Sequence, residues 1–213
     1  MFKEVKIMLI KNIMIPKSQL TILTTTNTAK EALDVINSKS LLSLPVVDGK
    51  EFVGIISKRY ILEEFFNNDE DKSLFLSRPI SDFMKTKIPS LSSDDLVEEP
   101  VKLLCNNNIQ FIPVTNEFGH LLGIVTHKAV FSTFKNALGI GHTRLAITTT
   151  DIKGRLAKLT ELIAKKNANI ISIVQIDPEV MNLKEIILRI DVDNIHTLIK
   201  ALNENGFTVR RVD

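Results

Sequence analysis

Tryptophan is absent and tyrosine occurs once, at Tyr60. Surfaces that hold nucleic acid interleave aromatic side chains with basic runs. With no such run and a net charge of +2, nucleic acid is not an expected partner. The single cysteine, Cys105, excludes an internal disulfide. It falls on the apolar face of an expected helix, where a free thiol serves as a small core residue. Apolar runs such as that at 170–174 fall far short of the roughly 18 residues that span a bilayer. The N-terminal stretch MFKEVKIMLIKNIM lacks both an apolar signal-peptide core of about 7–15 residues and a small-residue cleavage site. No membrane partner and no signal peptide are expected, and the chain is read as cytoplasmic.

Catalytic signatures are missing too. The four histidines, His120, His127, His142 and His196, are scattered, and none stands four residues from another. There is no HExxH, no GxSxG and no P-loop. The GIGHT stretch at 139–143 follows an expected helix, not a strand, so it is not a dinucleotide fingerprint. Asp69–Asp71 in NNDEDK read as a solvated loop. No catalytic residue, metal site or cofactor is expected, and the chain is not read as an enzyme.

What is present is an ordinary globular balance, 44% apolar and 24% charged residues, in a chain of 213. Eight glycines and seven prolines are too few for a low-complexity chain. The most informative feature is a repeat. LLSLPVVDGKEFVGIISKRYI (41–61) and IQFIPVTNEFGHLLGIVTHKAV (109–130) share one order of residue types. It runs apolar, Pro, Val, polar turn, apolar pair, Gly, Ile, apolar, hydroxyl, then basic. Pro45 and Pro113 stand 68 apart, and Gly54 and Gly123 stand 69 apart. Upstream, NIMIP (12–16) and DFMKT (82–86) put Met14 and Met84 in comparable places.

Each copy changes periodicity in the same sequence. Ala29, Ala32, Leu33 and Ile36 mark one helix face, with Thr28 and Glu31 as a capping box. Strands are expected at Leu44–Val47 and Phe52–Ser57, joined by Asp48-Gly49, a strong hairpin signal. A second helix is expected over Lys58–Phe66. The second copy repeats this β-α-β-β-α order with Val97, Val101, Leu104 and Cys105 as its apolar helix face. Pro100 removes a helical hydrogen bond, so that helix should kink or begin late.

KNALGIGH (135–142) reads as a linker. Beyond it the expected order is strand (Arg144–Thr149), helix (Leu156, Leu159, Ile163) and strand (Asn169–Ile176). A DPEVMN turn (177–182), an alternating strand (Ile186, Leu188, Ile190, Val192), a helix (Ile195, Leu198, Ile199, Leu202) and a last strand (Phe207–Val212) follow, with Gly206 as the helix stop. β-α-β-β-α-β is the ferredoxin-like plan.

The repeat resembles the CBS motif, on NIMIP or DFM, (S/F)-(L/I)-P-V and G-I-apolar-(S/T) at this spacing, twice. The C-terminal segment is similar to an ACT domain in TTTDIKGRLAKL and NANIISI. The two resemblances cover nearly the whole chain and are shared with acetoin-utilisation-type CBS–ACT regulators and with CBS proteins that bind cyclic di-AMP. The expected fold class is α/β (α+β), tandem CBS repeats followed by a βαββαβ ACT domain. The expected divisions are 1–75 (first motif), 76–136 (second), 137–142 (linker) and 143–213 (ACT). The resemblance implies two clefts between the motifs that take adenine-containing ligands, AMP, ADP, ATP, S-adenosylmethionine or cyclic di-AMP.

A strand that ends in a hydroxyl and runs into a helix brings backbone N–H groups and cations to one place, which suits phosphate. Ser57, Lys58 and Arg59 form one such site; Thr126, His127 and Lys128 form the other. Leu44-Pro45 and Ile112-Pro113 offer apolar walls to a flat base, and Gln19, Leu20, Thr21 and Leu42 complete the candidate nucleotide set. Helix capping by the two hydroxyls is the other reading of the same residues. AMP- and ATP-binding CBS sites commonly carry an Asp three residues after the hydroxyl, bonded to the ribose diol. Here Tyr60 and Ala129 stand there, which favours cyclic di-AMP over AMP. The ACT resemblance implies an amino-acid ligand at Asp151, Ile152, Lys153 and Gly154, with Asn169 opposite; the same residues serve equally as a turn and helix cap.

Two functions remain: a sensor of an adenine nucleotide, or a ligand-free interaction and dimerisation scaffold. Either implies a separate target protein, unidentified by the sequence. Apolar helix faces (Ile61, Leu62, Phe65, Phe66; Val130, Phe131, Phe134) point to a homodimer.

Overall fold

The computed structural model describes residues 8–106, 108–179 and 182–213. Val180 and Met181 of the DPEVMN turn, and the first seven residues of the N-terminal stretch, lie outside them. The chain forms two compact units, residues 1–131 and 132–213.

In the first unit, β1 (Ile15–Pro16) and β2 (Leu23–Thr24) precede α1 (Ala29–Ser38), the hairpin β3 (Ser43–Asp48) and β4 (Glu51–Ser57), and α2 (Lys58–Asn67). Thr28 and Glu31 close the capping box on α1. The Asn27 amide, and then the Thr28 N–H, donate to the Glu31 carboxylate and hold it below the usual carboxylate range. Ala29, Ala32 and Ile36 are buried with Leu44, Val46 and Ile56, so the expected helix face is the core face. A short α3 (Lys72–Ser77), which the pattern did not suggest, follows α2; Asp71 caps it by accepting from Ser73 N and Leu74 N.

The second copy runs α4 (Glu99–Asn106), β5 (Phe111–Thr115), β6 (Leu121–Thr126) and α5 (His127–Ala137). Pro100 sits in the first turn of α4, where its missing N–H costs nothing. The buried face is Val97, Pro100 and Leu104, the 68-residue counterparts of Ala29, Ala32 and Ile36 on α1. Val101 is therefore exposed, and Cys105, one position past Leu104, is exposed as well. The thiol is not the core residue that the pattern suggested.

The copies hold each other reciprocally. In the first copy β2 lies parallel to β3, with Leu23 opposite Val46. Leu91 bridges Val114 in parallel, the same contact 68 residues on. The leading segments, by contrast, are exchanged. β1 joins the second hairpin, Ile15 opposite Ile124, whereas Lys85 joins the first hairpin opposite Ile55. Ile10 N donates to Asp95 O at 2.9 Å, and Ile80 N to Asn27 O at 2.8 Å. The resulting sheets have the orders β2-β3-β4 and β1-β6-β5.

Two glycines permit the exchange. A Cβ on Gly54 would stand 2.7 Å from Lys85 O and 3.2 Å from Met84 Sδ. A Cβ on Gly123 would stand 3.2 Å from Met14 Sδ and press harder into the Ile15 carbonyl. The Met and Gly positions noted in each copy thus meet across the pair, each Met against the other copy's Gly.

The second unit contains β7 (Thr143–Thr150), α6 (Arg155–Lys165), β8 (Asn169–Ile176), β9 (Leu183–Asp191), α7 (Ile195–Glu204) and β10 (Thr208–Val212). The antiparallel sheet has order β10-β7-β9-β8. Leu145, Ile147, Leu188 and Ile190 meet Leu159, Ile163, Leu198 and Leu202 of the two helices in its core. Gly206, at φ +79°, ends α7 in a left-handed turn that L-residues adopt at a cost. The expected linker residues pack on this sheet: Ser172 Oγ donates to Leu138 O (2.7 Å) and Arg189 to His142 O (2.9 Å). Among the described residues no helix is long and apolar enough to cross a membrane.

Gly54 does not have a positive φ, so without a clash an alanine there would stabilise the protein by roughly 0.4–1 kcal/mol. We expect the opposite sign. Gly54→Ala and Gly123→Ala should each lower unfolding stability in urea by about 1–3 kcal/mol, the usual cost of overpacking. A gain in stability would refute the close approach.

Candidate functional site: two unequal clefts in the repeat unit

Ser57 ends β4 and caps α2, its Oγ accepting from Tyr60 N at 3.2 Å. Thr126 ends β6 and accepts from Ala129 N at 3.2 Å. Both hydroxyls therefore cap their helices. Capping uses an oxygen lone pair and leaves the hydroxyl proton free to donate. The two readings of these residues are compatible.

A cleft of about 630 Å³ opens at the start of α2. Ser57, Lys58, Arg59 and Tyr60 form one side, Leu41–Ser43 a second, and Asn108–Gln110 of the other repeat a third. Leu62 and Phe66, expected on a dimer face, extend its apolar wall together with Ile55. The cations are held in place. Lys58 Nζ donates to Asn37 Oδ1 at 3.0 Å. The Arg59 guanidinium lies 5.2 Å from the centre of the Tyr60 ring and 3.7 Å from Glu63. This ion pair is more than half exposed, so its energy is small and an anion can displace Glu63.

A second cleft, of about 390 Å³, contains Thr126 together with Gln19, Leu20, Thr21, Leu42, Leu44 and Pro45. Leu41, Leu42, Ser43 and Gln110 line both clefts and form their common wall. The described lining of the second cleft has no charged side chain.

The expected residues therefore divide in an unforeseen way. Ser57, Lys58 and Arg59 face the second motif, and Thr126 faces the first motif's Leu44-Pro45. Ile112 and Pro113 are buried and line neither cleft. Nor do His127 and Lys128; His127 Nδ1 instead lies 3.3 Å from Gln110 O. Each cleft draws on both copies, as the expected clefts between the motifs would. Ser43, Glu63 and Asn108–Gln110 were not anticipated. Glu63 was visible as an i+4 partner of Arg59, and Asn108–Gln110 as the 68-residue counterparts of Ser40–Leu42.

In the second unit a pocket of about 340 Å³ is lined by Asp151, Ile152 and Gly154, as expected. Lys153 does not line it. Asn169 pairs with Asp191 at the far end of β8, roughly 20 Å of strand from the turn. The β8 residue in the pocket is Gln175, joined by Thr149, Arg155 and Lys184. Lys184 lies 3.5 Å from Asp151 and bonds Asp177. The hydrogen bond that Lys184 donates to the Asp177 carboxylate raises the Lys184 pKa and lowers that of Asp177. Among the described residues no group of His, Cys, Asp or Glu could hold a metal ion.

The CBS domain model matches residues 10–67 and 80–136, and the ACT domain model residues 143–207. The chain belongs to the CBS-domain family. It carries the motif twice and an ACT domain behind it. Inosine-5'-monophosphate dehydrogenase of Methanocaldococcus jannaschii is 28% identical over 110 residues, 51% of this chain. The match spans only 20% of that enzyme. Among solved structures, CBSX2 in complex with AMP aligns with a TM-score of 0.53 and 23% identity, over 59% of this chain and 95% of that one. CbpB in complex with c-di-AMP aligns with a TM-score of 0.54 and 20% identity, over 60% and 84%. The CBS-pair fold and the α+β architecture are thereby shown.

Asp177 titrates low because of Lys184, so its contribution to stability is present above the ordinary carboxylate range and is lost as pH falls through its lowered pKa. Carboxyl NMR should place its midpoint below that of a free aspartate, and Lys184→Met should bring it back up. An unchanged midpoint in the variant would show that Lys184 is not its partner.

Proposed function

We propose that this CBS–ACT protein is a non-catalytic, cytoplasmic sensor that takes an adenine nucleotide in the CBS clefts and signals to a separate target protein. The observation that carries the proposal is the larger cleft. It holds the Ser57 hydroxyl, the N-terminus of α2 and two tethered cations, with Leu41, Leu42, Leu62 and Phe66 as apolar lining against which a base can stack. AMP in the CBSX2 structure and c-di-AMP in the CbpB structure support an adenine ligand. We take residues 1–75 and 76–136 as the two motifs, 137–142 as the linker and 143–213 as the ACT domain.

The ligand favoured is cyclic di-AMP. Neither Tyr60 nor Ala129 offers a carboxylate to a ribose diol, and a buried diol without partners costs about 1–3 kcal/mol. A cyclic dinucleotide has its 3′-oxygens esterified and brings phosphates to Arg59 and Lys58. In the ACT domain, Asp151 can accept an amino acid's ammonium, with Gly154 leaving room for its backbone. The protein is proposed to be a homodimer. Phe66 (81% exposed), Phe131 (71%) and Leu62 (39%) leave apolar area on α2 and α5, whereas Ile61 and Val130 are buried in their own unit.

A panel of AMP, ADP, ATP, cyclic di-AMP and the guanine counterparts should raise the melting temperature with adenine ligands and less with guanine. The gain is about 2.7 kcal/mol at a hundredfold excess over Kd. No shift with any of them would leave the scaffold reading in its place.

Calorimetry on variants locates the site. Arg59→Ala removes a planar fork that grips two phosphate oxygens, and should cost about 1.5–3 kcal/mol of binding. Lys128→Ala should leave affinity unchanged, since Lys128 lines neither cleft. Tyr60→Asp should weaken cyclic di-AMP and strengthen AMP. A silent Arg59→Ala together with a silent Tyr60→Asp would show that the nucleotide binds elsewhere.

A further inference from the structure

Ser43 is the first residue of β3 and lies on the wall that the two clefts share. Its hydroxyl oxygen is shut off from solvent and has no hydrogen-bond partner. Buried hydroxyls are satisfied in the great majority of cases, and an unsatisfied one demands a reason. Burial does not supply one. The neighbouring Ser57, opposite Ser43 in the hairpin register, accepts from Tyr60 N at the start of α2 and makes no hydrogen bond to the Ser43 hydroxyl.

The internal repeat sharpens the point. The counterpart of Ser43, 68 residues on, is Phe111, which stands opposite Thr126 as Ser43 stands opposite Ser57. Phe111 is buried, packed with Ile55 and Ile124. The same strand position thus accepts a large apolar side chain in one copy. In the other it holds a small polar one that has nothing to bond. Serine here is a cost to the free protein, and it stands at the junction of a cationic cleft and an uncharged one.

We propose that Ser43 is a ligand-reading residue whose hydroxyl finds its partner only when a nucleotide is bound. Ser43 lines both clefts, so a turn about its single side-chain torsion is the motion that would carry the hydroxyl to a bound ligand. The partner group is the uncharged part of the ligand, a ribose oxygen or the edge of the base, because the phosphates belong beside Arg59 and Lys58. The inference rests on the nucleotide reading above and adds to it a residue that discriminates by hydrogen bonding rather than by charge.

The test follows from this inversion of stability and affinity. Full-length Ser43→Ala, Ser57→Ala and parent protein are compared by thermal unfolding without ligand, then by calorimetry with cyclic di-AMP and with AMP. Ser43→Ala should melt no lower than the parent, with a gain of about 2 °C expected from removing an unsatisfied group. Ser57→Ala should melt lower, because it loses a cap. Ser43→Ala should also weaken the ligand that the parent binds by about fivefold or more. Two results overturn the inference while leaving the nucleotide reading intact: a Ser43→Ala protein that binds as tightly as the parent, or one that melts as low as Ser57→Ala. A parent that binds neither nucleotide overturns the nucleotide reading, and the inference with it.

Discussion

At Gly54 and Gly123 a backbone carbonyl from the other repeat occupies the volume that a Cβ would fill. Everything in the first unit depends on that approach. The carbonyls belong to Lys85 and Ile15, at the ends of the segments that each copy lends to the other. β1 of the first copy completes the second hairpin's sheet, and Lys85 of the second copy bridges the edge of the first hairpin at Ile55. Ser57 lines one cleft with Asn108–Gln110 and Thr126 the other with Leu44-Pro45, so each cleft is built from two copies.

Pseudo-symmetry of the backbone does not carry over to the chemistry. One cleft presents Lys58 and Arg59, held by Asn37 and Glu63, while the described lining of the other is uncharged. The difference comes from a few positions. Arg59 and Tyr60 on α2 correspond to Lys128 and Ala129 on α5, and Lys128 lines neither cleft. Ser43 corresponds to Phe111, polar on one side and core on the other. A protein with two equal sites would show neither substitution.

Much of the fold was legible because it depends on local rules. The capping box at Thr28 and Glu31, the Asp48-Gly49 hairpin and the periodicity of 143–213 each rest on contacts a few residues apart. The late start of α4 was legible for the same reason, since Pro100 acts on its own helix. The buried face of that helix was not. Val101 and Cys105 each stand one position past a buried residue, Pro100 and Leu104, and the apolar pattern alone does not say which of two adjacent apolar positions faces the core. The candidate site was legible in residue type but not in grouping. Hydroxyls followed by cations were visible, and so was Gly154 in its turn. Their partners were set by strand exchange and sheet register. Ile112-Pro113 was assigned to a wall it does not form, and Asn169 to the wrong end of β8.

The central claim is that the larger CBS cleft exists to hold a small adenine nucleotide. Its most direct test is to purify the full chain without added nucleotide, denature it, and identify what is released by mass spectrometry. The account predicts an adenine-containing phosphate ester in an amount comparable to the protein, with cyclic di-AMP the favoured mass, and its loss from Arg59→Ala prepared in the same way. Release of a guanine nucleotide instead, or an equal yield of the adenine ligand from Arg59→Ala, would contradict it.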